Sequence, residues 1–175
     1  MRDRYHKQLK QMYSMMVEMG TLCQDAIGVS VKTLSGEEET ARKLEEHVFL
    51  VDSEIDEKER EIETVCTKLL LQQQPVATDL RRITAALKMI TDLERIGDQA
   101  SDIAELAPFL RKYHPDGKTK LEQMADEAIR MVRESVEAFV HLDLELARSV
   151  IAYDDVVDGW FHRIRTDLIE IISLD

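Results

Sequence analysis

Apolar residues recur at spacings of three and four along nearly the whole of this 175-residue chain. That period marks amphipathic helices, and no competing strand pattern appears. Leu9, Met12, Met16, Met19, Cys23, Ile27, Val31 and Leu34 form the first stripe, on a helix from about Asp3 to Leu34. Ser35, Gly36, Glu37 and Glu38 predict a tight reversal, with the glycine ending the first helix and Ser35 with Glu38 forming a capping box for the next. Leu44, Val48, Val51, Ile55, Ile62, Cys66 and Leu69 mark a second helix to about Gln73. Pro75 is expected in the first turn of a third, whose stripe is Val76, Leu80, Ile83, Leu87 and Ile90, and which runs to Pro108 and a turn at His114, Pro115, Asp116 and Gly117. Met124, Ala128, Met131 or Val132, Ser135 and Phe139 define a fourth helix, and Asp143 is placed to cap a fifth, through Leu146, Val150, Val157, Ile164 and Leu168. Antiparallel helices joined by short turns make an all-α bundle.

Charge narrows what such a bundle can bind. Thirty-five acids against 23 bases leave a net charge of −12, which repels nucleic-acid backbones and anionic lipid headgroups. No apolar run is long enough to span a bilayer, and the opening MRDRYHKQLKQMY lacks the apolar core of a signal peptide, so a cytoplasmic protein is expected. Cys23 and Cys66 have no metal-type spacing and are expected as buried, reduced core residues.

The chain also repeats itself. An ungapped shift of 102 positions lays Ala26, Ile27, Leu44, Val48 and Ile62 on Ala128, Ile129, Leu146, Val150 and Ile164. The same shift lays Asp52 on Asp154 and Asp56 on Asp158. Apolar matches are common between helices, but two acidic pairs in one register indicate duplication. The second copy has no counterpart of the third helix, which is expected to leave an apolar groove for a further segment of chain or a second copy of the protein to cover.

Acidic residues stand where core is expected. At about 100° per residue, Glu94 falls in line with Ile83, Leu87 and Ile90, while Asp98 and Asp102 follow at one-turn intervals, each rotated by about 40°. Asp52 and Asp56, with Glu59 beside them, flank the stripe of the second helix. Antiparallel packing of the two helices brings these acids into one patch, whose mutual repulsion a hard cation would offset. Gly97, between Glu94 and Asp98, lowers helix propensity by about 1 kcal/mol and implies close approach of backbone or ion. The alternative is a solvated acidic face paired with Arg81, Arg82, Lys88 and Arg95.

The segment LLLQQQPVATDLRRITAALKMITDLERIGDQASDIAE, residues 69 to 105, resembles the signature of the PhoU family. The most specific features are Gln74, Pro75, Asp79, Leu80, Arg81 and the run from Leu93 to Asp98, and the opening MRDRYHKQL with MVEMG is similar to a PhoU amino terminus. The resemblance implies tandem antiparallel three-helix bundles, a first at 1–112 and a second at 117–175 that lacks its last helix. It implies multinuclear iron or zinc clusters held by paired acidic motifs, with manganese and magnesium as lesser candidates. Asp52 with Asp56 and Glu94 with Asp98 match those motifs, Asp102 extends them, and Asp154 with Asp158 matches half of a second site. It further implies a non-enzymatic negative regulator linking the ATPase of the phosphate ABC transporter to a phosphate sensor histidine kinase and meeting the membrane only through partners, while the uncovered groove leads to the expectation of a homodimer. Two other readings stand beside this one. A metal-free helical adaptor needs no cluster, and a carboxylate-bridged di-metal oxidase requires Glu-x-x-His pairs, yet none of His6, His47, His114, His141 and His162 has a glutamate three residues before it.

Overall fold

The computed structural model describes residues 2–73, 75, 77–111 and 118–174 of the chain. Five α-helices account for them: α1 (Arg2–Thr33), α2 (Glu38–Gln73), α3 (Ala77–Leu110), α4 (Lys118–His141) and α5 (Leu144–Leu174). The first three form a bundle in which each touches the other two, α4 lies against α1, and α5 touches only α4. The core follows the sequence stripes closely. Met12, Met16, Met19 and Cys23 of α1 are fully buried, as are Val48, Ile55, Ile62, Cys66 and Leu69 of α2 and Ile83 of α3. Burying side chains of this size stabilises the fold by roughly 1.5–3 kcal/mol each. Both cysteines are free thiols inside this core; burial pushes Cys23 up to about 12 and Cys66 to about 11, and Cys23 Sγ donates to the Leu93 carbonyl at 3.2 Å.

Several local expectations change. Ser35 does not cap α2: its hydroxyl donates back to the Lys32 carbonyl of α1 at 3.1 Å, and the first α2 hydrogen bond runs from Ala41 N–H to the Glu37 carbonyl. Pro75 lies ahead of α3 rather than in its first turn, and Val76 and the turn at 114–117 are outside the described residues. Leu80, assigned to the core stripe, is 42% exposed. α3 continues through Pro108 to Leu110, because a proline near a helix end removes only one bond of the ladder. Asp143 does cap α5, its Oδ1 accepting from Leu146 N–H at 2.9 Å.

The ungapped repeat register also changes. It would lay the first turn, 34–37, on 136–139, but those residues lie inside α4, and the chain reverses at Leu142 and Asp143. Gly36 and Leu142 are the positive-φ residues of the two turns, at 91° and 55°. Counted from them, Asp158 rather than Asp154 stands at the depth of Asp52, a slip of one helical turn that keeps the same helix face.

α4 runs antiparallel to α1, with Tyr13 edge-on to Phe139 and Gly28 beside Ile129. The groove expected beside the second hairpin is present. Ile103 and Leu110 of α3 face Val157 and Ile164 of α5 over a floor that includes Val31 and Met124, enclosing about 780 Å³.

The two turns have opposite weaknesses. At Leu142 the α4 terminus makes the paired bonds of a Schellman end, Leu142 N–H to Phe139 O at 3.4 Å and Asp143 N–H to Ala138 O at 2.9 Å, with a leucine where glycine is favoured. Leu142→Gly is expected to raise unfolding free energy, and Gly36→Ala to lower it, each by about 1 kcal/mol in urea titrations. Equal shifts of the same sign would contradict this account of the turns.

Candidate metal centre

α2 and α3 meet antiparallel, so residues near 52 on one helix face residues near 97 on the other. A Cβ added to Gly97 would lie 2.7 Å from Asp52 Oδ1 and 3.1 Å from Ile55 Cδ1. Only glycine lets the carboxylate lie directly on the α3 backbone. Asp56 and Glu59 follow Asp52 along α2, all three partly buried, and Thr91 Oγ1 donates across the seam to Glu59 at 3.4 Å. On α3, Glu94 is partly buried, whereas Asp98 and Asp102 are exposed, and Gln99 Nε2 donates to Asp102 at 3.4 Å.

Glu94 does not occupy the core line itself. The buried line of α3 runs through Ile83, Ala86, Ile90 and Leu93, then Gly97, Ala100, Ala104 and Ala107, and Glu94 borders it. These small residues let α3 come close to its neighbours, and the acids stand along the edge of the contact.

The acids sense one another. Burial, followed by the charges of Asp98, Glu59, Asp56 and Asp52, holds Glu94 above the ordinary carboxylate range. Burial also raises Asp52, opposed by the neighbouring Ser101 hydroxyl and reinforced by Asp56, Asp98 and Asp102. No base relieves them. Among the described residues, none of Asp52, Asp56, Glu59, Glu94, Asp98 and Asp102 forms a salt bridge. Arg95 turns to Asp92, Arg82 to Asp79, and Lys58 to Glu18 and Glu61, so these bases do not pair with the seam acids, of which Asp98 and Asp102 face solvent.

Asp52 Oδ1 is buried without a hydrogen-bond partner, as is the Ser101 hydroxyl. An orphaned carboxylate oxygen among uncompensated acids suits a hard cation. The seam is nevertheless not a finished cage, because among the described residues no three His, Cys, Asp or Glu side chains are already gathered closely enough to hold an ion. Asp154 and Asp158 are exposed on α5, which touches neither α2 nor α3, so they stand apart from the first cluster. Ser101 and Thr91 were not among the residues singled out from sequence. Ser101 follows Gly97 by one helical turn, and that spacing was the available sign that its hydroxyl faces α2.

Fold and site together define an all-helical protein of tandem helical bundles, with an acidic seam between two helices of the first. Residues 16–107 and 121–175 match the PhoU domain, and the chain belongs to the PhoU family. A relative from Clostridium acetobutylicum, named a phosphate-specific transport system accessory protein PhoU homolog, is 33% identical over 173 residues, 98% of this chain and 78% of the relative. A homolog of the same name from Aquifex aeolicus is 34% identical over 170 residues, 97% of this chain and 76% of its own length. The crystal structure of PhoU from Pseudomonas aeruginosa superposes with a TM-score of 0.87 at 31% identity, covering 98% of this chain and 81% of that one. The Streptococcus pneumoniae phosphate transport system regulatory protein PhoU, at 21% identity and TM-score 0.84, shares the fold over 97% of this chain and 79% of its own.

The raised carboxyls set a pH dependence. Asp52 and Glu94 have folded pKa values above their unfolded ones, so the native state holds protons that the unfolded chain has already released. Their contribution is most favourable below the ordinary carboxylate range and falls as pH rises through the raised values. For protein kept in chelator, Asp52→Asn with Glu94→Gln is expected to raise stability at neutral pH and flatten that fall in urea unfolding. An unchanged pH profile would show that the seam carries no electrostatic strain.

Proposed function

We propose that this chain is a negative regulator of phosphate uptake and phosphate-starvation signalling, an adaptor between the ATPase of the phosphate ABC transporter and a sensor histidine kinase. Membership of the PhoU family supports the role in phosphate transport, since relatives carry the name of accessory proteins of that system. An adaptor acts by binding two conformations of a partner with different affinity, which needs a surface rather than a reaction centre. A cytoplasmic location suits these partners. Among the described residues no helix is long and apolar enough to cross a membrane, so contact with the bilayer would run through the transporter.

In this reading the seam binds a multinuclear metal cluster, iron or zinc before manganese or magnesium. The observation that carries it is the set of acids without a basic partner, drawn from both α2 and α3. Asp52, Asp56, Glu94, Asp98 and Asp102 are the ligand set, and Asp154 with Asp158 are half of a second. A bound cation would supply positive charge that joins the two helices. The absence of a finished cage favours the second reading, a metal-free helical adaptor.

Elemental analysis of protein purified without chelator decides between the two. At least about one equivalent of iron or zinc is expected, lost in Glu94→Ala with Asp98→Ala; less than about one tenth of an equivalent, unchanged by those substitutions, overturns the metal reading. For the partners, tagged protein is expected to enrich the transporter ATPase and the kinase more strongly at high phosphate than at low. A homodimer that covers the α3–α5 groove should appear as twice the 20.2 kDa chain mass in light scattering. Absence of enrichment at either phosphate level would remove the adaptor role.

A further inference from the structure

Two buried oxygens on the α2–α3 seam lack partners, and their residues are neighbours across it. One is Asp52 Oδ1, seated on the backbone of Gly97, and the other is the hydroxyl of Ser101, one helical turn further along α3. Ser101 is the hydroxyl neighbour of the Asp52 carboxylate, although the two do not meet in full hydrogen-bond geometry. A serine hydroxyl can rotate and donate, whereas an ionised carboxylate can only accept, so each group supplies what the other lacks. Leaving both unsatisfied costs more than the small side-chain turn that joins them.

We propose that Ser101 is a positioning residue, which donates its hydroxyl to Asp52 Oδ1 and holds that carboxylate against Gly97, leaving Oδ2 to face Asp56, Asp98 and Asp102. The proposal rests on the metal-binding reading for its purpose but not for its geometry. With one oxygen fixed by hydroxyl and backbone, the other has fewer orientations to lose when an ion arrives. Supporting partners of metal-binding carboxylates typically contribute about tenfold or more in affinity. Gly97 and Ser101 then form a single cradle, one admitting the carboxylate and the other orienting it.

The test uses the full chain, with Ser101→Ala and Ser101→Thr, alone and combined with Asp52→Ala. In chelator, Ser101→Ala is expected to lower the thermal midpoint by about 2–4 °C. Ser101→Thr should restore it, and the loss should vanish when Asp52 is already alanine. A Ser101→Ala protein as stable as the parent, or more stable, would mean that the hydroxyl is an orphan and would overturn the pairing. Titration with Zn²⁺, Fe²⁺ and Mn²⁺, each alone, should show affinity weakened about tenfold in Ser101→Ala and near the parent value in Ser101→Thr. Equal affinities in all three proteins overturn the positioning role. A parent chain that takes up none of these ions overturns the metal-binding reading and the purpose assigned here, while the chelator experiment still decides whether the pair exists.

Discussion

α1 carries the architecture, because it alone touches α2, α3 and α4. A helix surrounded on so many sides must be apolar over more than one stripe, and the methionines at 12, 15, 16 and 19 meet that need. Methionine is unbranched and fills gaps between helices that cross at different angles. Tyr13, on the same helix, reaches Phe139 of α4, while the Cys23 thiol donates a hydrogen bond to a carbonyl of α3. At the far end, Arg111 closes the bundle by donating to the Thr33 carbonyl at 2.9 Å and pairing with Glu45, both side chains largely buried.

With α1 fixed, the approach of α2 to α3 is set by small residues. Gly97, Ala100, Ala104 and Ala107 bring the α3 backbone close to its neighbours, and the acids stand along the edge of this contact. Packing thus imposes an electrostatic arrangement that the charges alone would not choose. That conflict between local repulsion and global packing is typical of functional sites. Bases within reach in the sequence turn to other acids and leave the seam uncompensated.

Much of this was legible beforehand. The stripes of α1 and α2 became core almost residue for residue, both cysteines are buried, and Asp143 caps α5. The misplacements of Glu94 and Leu80 share a cause: a helical wheel weighs hydrophobicity and ignores size. It put Glu94 on the core line through Leu87 and Ile90, whereas the real line turns toward Leu93 and Gly97, where smallness permits contact. Leu80 was placed inside on apolarity alone and lies outside. The repeat was detectable from paired aspartates, but its register slipped by a turn because α4 runs past the position where the first hairpin reverses. Ser101 is legible only through its one-turn spacing from Gly97, because a lone serine adds nothing to a hydrophobic stripe.

Among the described residues α5 is held by α4 alone, whereas α4 contributes Val132 and Val136 to the core that holds the α1 methionines, so α5 can detach without exposing that core. Its amides therefore exchange with solvent through partial openings, while those of α1 wait for global unfolding. The order in which protection disappears traces the architecture outward in reverse, from the peripheral helix to the central one.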